Sequence, residues 1–173
     1  MNRINKAIGV LIAIAGFGWT PANAGEDATC KLVIDAMAKA VLTPNHQYMT
    51  LKIDAINGGK PMESEIIDTG KATYIKHDSK WKPSLSPQAI LDRMNENRKG
   101  AKTTCRFIRD EAADSVNAGL YTVREEDTDG GSTDSKVWLA KATALPIHVN
   151  LEMEGTHSES RYVRGAVSAP SLN

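Results

Sequence analysis

The chain has 173 residues, with 21 Lys and Arg against 21 Asp and Glu, four His, two Cys, three Trp, four Tyr and two Phe. That length suits one domain with a core of its own, and a composition of this kind is neither disordered nor collagen-like. The charge balance argues against a dedicated nucleic-acid binder, and two cysteines cannot build a zinc ribbon or a disulfide-dense scaffold.

Residues 1–24 read as a secretory signal. Arg3 and Lys6 give a positive start, the run from Ala7 to Trp19 carries no charge, and Ala22-Asn23-Ala24 offers small residues where a signal peptidase reads them. Cleavage is predicted after Ala24. Thr20-Pro21 stops the apolar run short of the roughly 20 residues a membrane span needs, so no span is expected in the mature chain. Cys30 has no lipobox before it, so no lipid anchor is expected either. The mature chain, 25–173, is expected to be a single periplasmic or secreted domain that keeps 19 basic and 21 acidic residues. In an oxidising compartment Cys30 and Cys105 are the only intramolecular pair available, and a disulfide is favoured over two separately buried thiols.

In chain order, a helix capped by Asp27 or Thr29 is expected to run to about Val41, with Leu32, Val33, Ala36, Met37, Ala40 and Val41 as its apolar stripe, and Pro44 after it. Over 47–55 the period changes to two. Met49, Leu51, Ile53 and Ala55 alternate with Tyr48, Thr50, Lys52 and Asp54, which predicts a strand. The Gly58-Gly59-Lys60-Pro61 turn leads to strands over 62–68 and 71–77 and a short one near Trp81. Ser86 then caps a second helix with Pro87 at its first position and Ile90, Leu91 and Met94 as its stripe, closed by Gly100. Strands follow over 104–112 and 118–126. The Gly, Asp, Ser and Thr stretch 127–135 reads as an exposed loop. A hairpin over 136–141 and 147–154, a turn over 155–159 and a last strand over 160–167 complete the chain.

These elements predict an α+β fold: one strongly curved antiparallel sheet of seven or eight strands, a half-barrel, with two helices on its concave side. The run from Lys136 to Ile147, with Trp138 on one strand and Leu145-Pro146 closing the turn, then Val149 to Met153, resembles a strand pair of the LolA/LppX-like periplasmic half-barrels. The last strand with Tyr162 is similar too. That resemblance implies a lipid or lipoprotein held between a curved sheet and helices. Candidate ligand-lining residues are Met49, Leu51, Ile53, Ile90, Leu91, Met94, Trp138, Val149, Leu151 and Met153; equally, they can meet one another as a filled core.

Catalytic and metal signals are weak. Counting from Asp127, an EF-hand would need ligands where Gly131 and Trp138 stand. His46, His77, His148 and His157 form no HExxH and no i,i+4 pair, and Gly130-Gly131-Ser132 lacks the glycine that a nucleophile elbow needs after its serine. No enzyme activity, metal or cofactor is therefore expected. Lys71, Lys76, Lys80 and Lys82 gather near Tyr74 and Trp81; they read as the charged outer face of a hairpin or as a contact surface for anionic headgroups or a partner. Two functions stay open: a soluble binding or chaperone-like protein for a lipid, lipoprotein or other apolar ligand, or a non-enzymatic interaction module with a filled core and an envelope protein as surface partner.

Overall fold

A computed structural model describes residues 28–77 and 79–172; the predicted signal segment lies outside the described residues. Helix α1 (Ala28–Val41) buries Cys30, Val33, Ile34, Ala36, Met37 and Ala40. This corrects the expected stripe. Leu32 is 43% exposed and Ile34, which the stripe omitted, only 2%. The phase is set by Cys30, whose disulfide to Cys105 points one helix face at the sheet. Val33, Ile34 and Met37 lie at i+3, i+4 and i+7 from it and share that face, whereas Leu32 does not. The helix ends where Thr43 Oγ1 donates to Lys39 O and Pro44 breaks the ladder.

Nine strands follow: β1 (Asn45–Ile53), β2 (Met62–Asp68), β3 (Thr73–His77), β4 (Lys80–Pro83), β5 (Lys102–Ala113), β6 (Val116–Glu126), β7 (Ser132–Ala140), β8 (Pro146–Met153) and β9 (Thr156–Arg164), with α2 (Pro87–Asn97) between β4 and β5. α2 begins as expected, with Ser86 Oγ accepting the Ala89 N–H at 3.2 Å and Pro87 in the first turn. The sheet is one more strand wide than the larger count expected, and β4, a four-residue edge strand, is its shortest member.

Three turns are tighter than the composition suggests, so the strands beside them are longer. Asp114 and Ser115 both have positive φ, 49° and 64°, and join β5 to β6 in two residues. The Asp127 carboxylate accepts the N–H groups of Asp129 and Gly131 at 3.0 and 2.7 Å, which closes the β6–β7 turn and lets β7 start at Ser132 instead of Lys136. Glu154-Gly155 is the whole β8–β9 turn, so β9 starts at Thr156, where a longer turn was expected.

The strands form a single antiparallel sheet in the order β4-β3-β2-β1-β9-β8-β7-β6-β5. β1 and β9 pair in its interior, Asn45 opposite Arg164 through Ile53 opposite Thr156. The chain from β4 to β5 therefore passes from one edge to the other. Laid flat, eight strand spacings would separate those edges by roughly 38 Å. The connection is α2, about 16 Å long, plus about seven other residues that would have to be fully extended and collinear to supply the remainder. Gly100, at φ 83°, turns the chain sharply within it. A flat sheet cannot be spanned this way. The sheet curls, and both helices pack on one face as an α+β half-barrel.

Candidate binding site between the helices and the sheet

Register assigns each strand residue to a face, because cross-strand partners share one. The helix-facing side carries Met49, Cys105, Val123, Val137, Leu139 and Val149, in one cluster with Cys30, Val33, Ile34, Ala36 and Met37 of α1 and Ile90 and Met94 of α2. Of the expected lining residues, Met49, Ile90, Met94 and Val149 thus meet, and Leu91 packs against them. Leu51 and Ile53 form a neighbouring cluster with Ile56 and Met62. Leu151 is buried, and Met153, 36% exposed, sits between Thr156 and Thr133 in the row that starts at Ile53. Trp138 lies on the opposite face, packed against Ala118, Ala140 and Ile147, with its ring stacked on His148 at 4.8 Å and its Nε1 donating to Glu111.

α1 is fastened at both ends. Near its start, the Cys30–Cys105 disulfide holds it to β5 with Cα atoms 5.0 Å apart. At its end, Asn45 Nδ2 donates to Thr43 O at 2.9 Å, and Arg164 Nη2 donates to Pro146 O at 3.1 Å with Nη1 3.5 Å from Thr43 O. Between these fastenings the cluster is apolar. Three of its members, Met37, Met49 and Met94, are methionines, the side chain that most readily repacks.

Sequence reading missed a polar stripe on this face. Along β9 the helix-facing residues are Thr156, Ser158, Ser160, Tyr162 and Arg164, and the first three are buried. Gln47 Nε2 donates to Ser160 Oγ at 3.0 Å. Ser158, 1% exposed, has no hydrogen-bond partner for its hydroxyl and is flanked in register by Leu51 and Leu151. The signal was present as His157, Glu159 and Arg161 alternating with small hydroxyl residues, but the stretch up to Glu159 read as a turn.

Two carboxyls also face inward. Asp68 accepts the Gly70 N–H at 2.9 Å and the Thr73 hydroxyl at 3.4 Å, and burial pushes it up to about 6. Glu125 is raised to about 7 by burial, against the opposing pull of Arg98, whose Nε is 3.2 Å away. Arg98, 5% exposed, continues the Ile90 and Met94 stripe of α2 by one more turn. Burial likewise raises the Tyr162 hydroxyl and lowers Arg164, whose guanidinium lies 5.3 Å from the Tyr162 ring centre.

His46, His148 and His157 stand on the far face against Glu65, Glu159 and Glu152, away from the inward hydroxyls. Among the described residues no group of three His, Cys, Asp or Glu could hold a metal ion. No described helix is long and apolar enough to cross a membrane. The inward face is a buried apolar cluster with small hydroxyl residues along β9 and two carboxyls raised by burial at its margins.

The architecture is the curved-sheet, two-helix arrangement expected of a LolA/LppX-like half-barrel. No protein-family model matches the chain, and no curated protein is similar to it in sequence. Among solved structures, it is similar to the MucA/MucB complex of Pseudomonas aeruginosa, at 13% identity and TM-score 0.42 over 79% of this chain and 57% of that one. LprF from Mycobacterium bovis matches at 11% identity and TM-score 0.36, over 82% and 93% of the two chains. A LolA superfamily protein from Nitrosomonas europaea matches at 10% and 0.32, over 84% and 94%. This chain thus spans little more than half of the MucA/MucB chain it matches. At these identities and scores the likeness concerns the arrangement of elements and not what is bound.

Proposed function

We propose that the protein is a non-enzymatic binding protein of the periplasm that holds a lipid or the acyl chain of a lipoprotein between its helices and its sheet. The supporting observation is Ser158: a buried hydroxyl with no partner, set between Leu51 and Leu151. Leaving such a group unpaired costs about 1–3 kcal/mol. An ester-linked chain supplies apolar length for the leucines and a carbonyl for the hydroxyl, and the methionines of the cluster can repack to admit it. The test is native mass spectrometry and organic extraction of protein taken from periplasm, with uptake of a fluorescent fatty acid by the apo form. Co-purifying lipid is expected. Ser158→Ala is expected to weaken uptake while stabilising the empty protein by about 1 kcal/mol. A clean apo mass with no uptake overturns the reading.

That outcome would favour the second reading, a module with a filled core and a protein partner on its outer face. The observation behind it is a groove of about 510 Å³ on that face, lined by Tyr48, Glu63, Lys76, Glu159 and Arg161 among others.

A further inference from the structure

Charge is segregated in this chain. Between Thr69 and Ser86 four lysines accompany one aspartate, while the rest of 25–173 carries 15 basic and 20 acidic residues. The structure places this basic stretch at one edge of the sheet, in the β2–β3 turn and the β3–β4 hairpin, with β4 paired on one side only. Lys71, Lys80 and Lys82 are exposed, and no ion pair engages them among the described residues. Lys76 is committed elsewhere: it pairs with Glu65 at 2.5 Å and stands 5.7 Å from the Trp81 ring centre. In register Trp81 faces outward beside Lys76, whereas Lys82 is opposite Ile75 on the helix-facing side. Along β4, Lys80 and Lys82 thus belong to the helix-facing side and the half-buried Trp81 to the other, with the exposed Lys71 in the β2–β3 turn.

We propose that this edge hairpin docks the protein on an anionic lipid surface. Lysine stems reach headgroups while their charges stay solvated, and an indole settles at the boundary between headgroup and chain. The same features oppose an added protein strand: Lys80 and Lys82 charge the edge and Pro83 has no N–H to offer a neighbour. The inference stands independently of any ligand under the helices.

The test is co-sedimentation of the exported protein with vesicles of phosphatidylcholine alone and of equal parts phosphatidylcholine and phosphatidylglycerol, at 50 mM and 500 mM salt. Partition onto the anionic vesicles alone, lost at high salt, is expected. Each lysine contributes about fivefold, so K71E/K80E/K82E is expected to lose more than about a hundredfold. Glutamates keep the edge charged, and circular dichroism confirms the variant's fold. W81A is expected to bind several-fold more weakly, and the wild-type tryptophan emission to shift to the blue on vesicles. Equal binding to neutral vesicles, no binding at low salt, or an unchanged triple variant overturns the proposal. So does retention on a polyglutamate resin without vesicle partition, which would reassign the edge to an acidic protein.

Discussion

Asp68 and Glu125 make the stability of this protein depend on pH in a direction opposite to that of most paired carboxylates. Each is raised by burial, from 3.8 to about 6 and from 4.5 to about 7. The folded state therefore holds their protons more tightly than the unfolded chain does. Their contribution is complete below the unfolded values and is lost as pH rises through about 4–6 for Asp68 and about 4.5–7 for Glu125. Each is worth about 2–3 kcal/mol. Glu65, lowered chiefly by its hydrogen bond from Lys76, works the other way at lower pH. Urea titrations at pH 5 and pH 8 are expected to show the protein more stable at pH 5. Asp68→Asn with Glu125→Gln should flatten that difference; a slope unchanged in the double variant would contradict it. Neither carboxyl was legible in the sequence. A charge in a strand reads as outward-facing, and only the register of β6 with β7, together with the extra turn of the α2 stripe that ends on Arg98, turns Glu125 inward.

At the scale of elements, the phase of α1 is the sharpest correction and can be checked directly. Ile34→Ala removes a side chain buried against the sheet and is expected to cost about 2–5 kcal/mol, whereas Leu32→Ala should stay within about 0.5 kcal/mol. Equal costs would mean the helix is rotated from the position described. Severing the Cys30–Cys105 link, by reduction or by paired serines, is expected to lower stability by about 4 kcal/mol in denaturant titrations. Periodicity and capping residues placed the start of α2 and brought β8 to within one residue, whereas β1 runs Asn45–Ile53, two residues earlier than the expected 47–55. What they could not supply was the length of the turns. Asp114-Ser115 has no glycine to announce a two-residue hairpin, and the Asp127 loop closes through side-chain acceptance by one carboxylate, a contact invisible in composition. The helix stripe failed for a related reason, since the long-range disulfide fixed its rotation.

For the whole molecule, the sheet order predicts where protection against amide exchange concentrates. β1, β9 and β8 have paired neighbours on both sides and should exchange slowest, while β4, held by β3 alone, should open first. Mass-resolved exchange by segment would show this; β4 protected as strongly as β9 would contradict it. The pairing of β1 with β9 has a further consequence, for the order of events as the chain is made. β1 is among the earliest segments to emerge and β9 the last strand, yet Asn45 must find Arg164 before either half-sheet has its central neighbour. Contacts so distant in sequence close slowly. The sheet therefore stays in two parts, β1 to β4 and β5 to β8, until β9 arrives to join them.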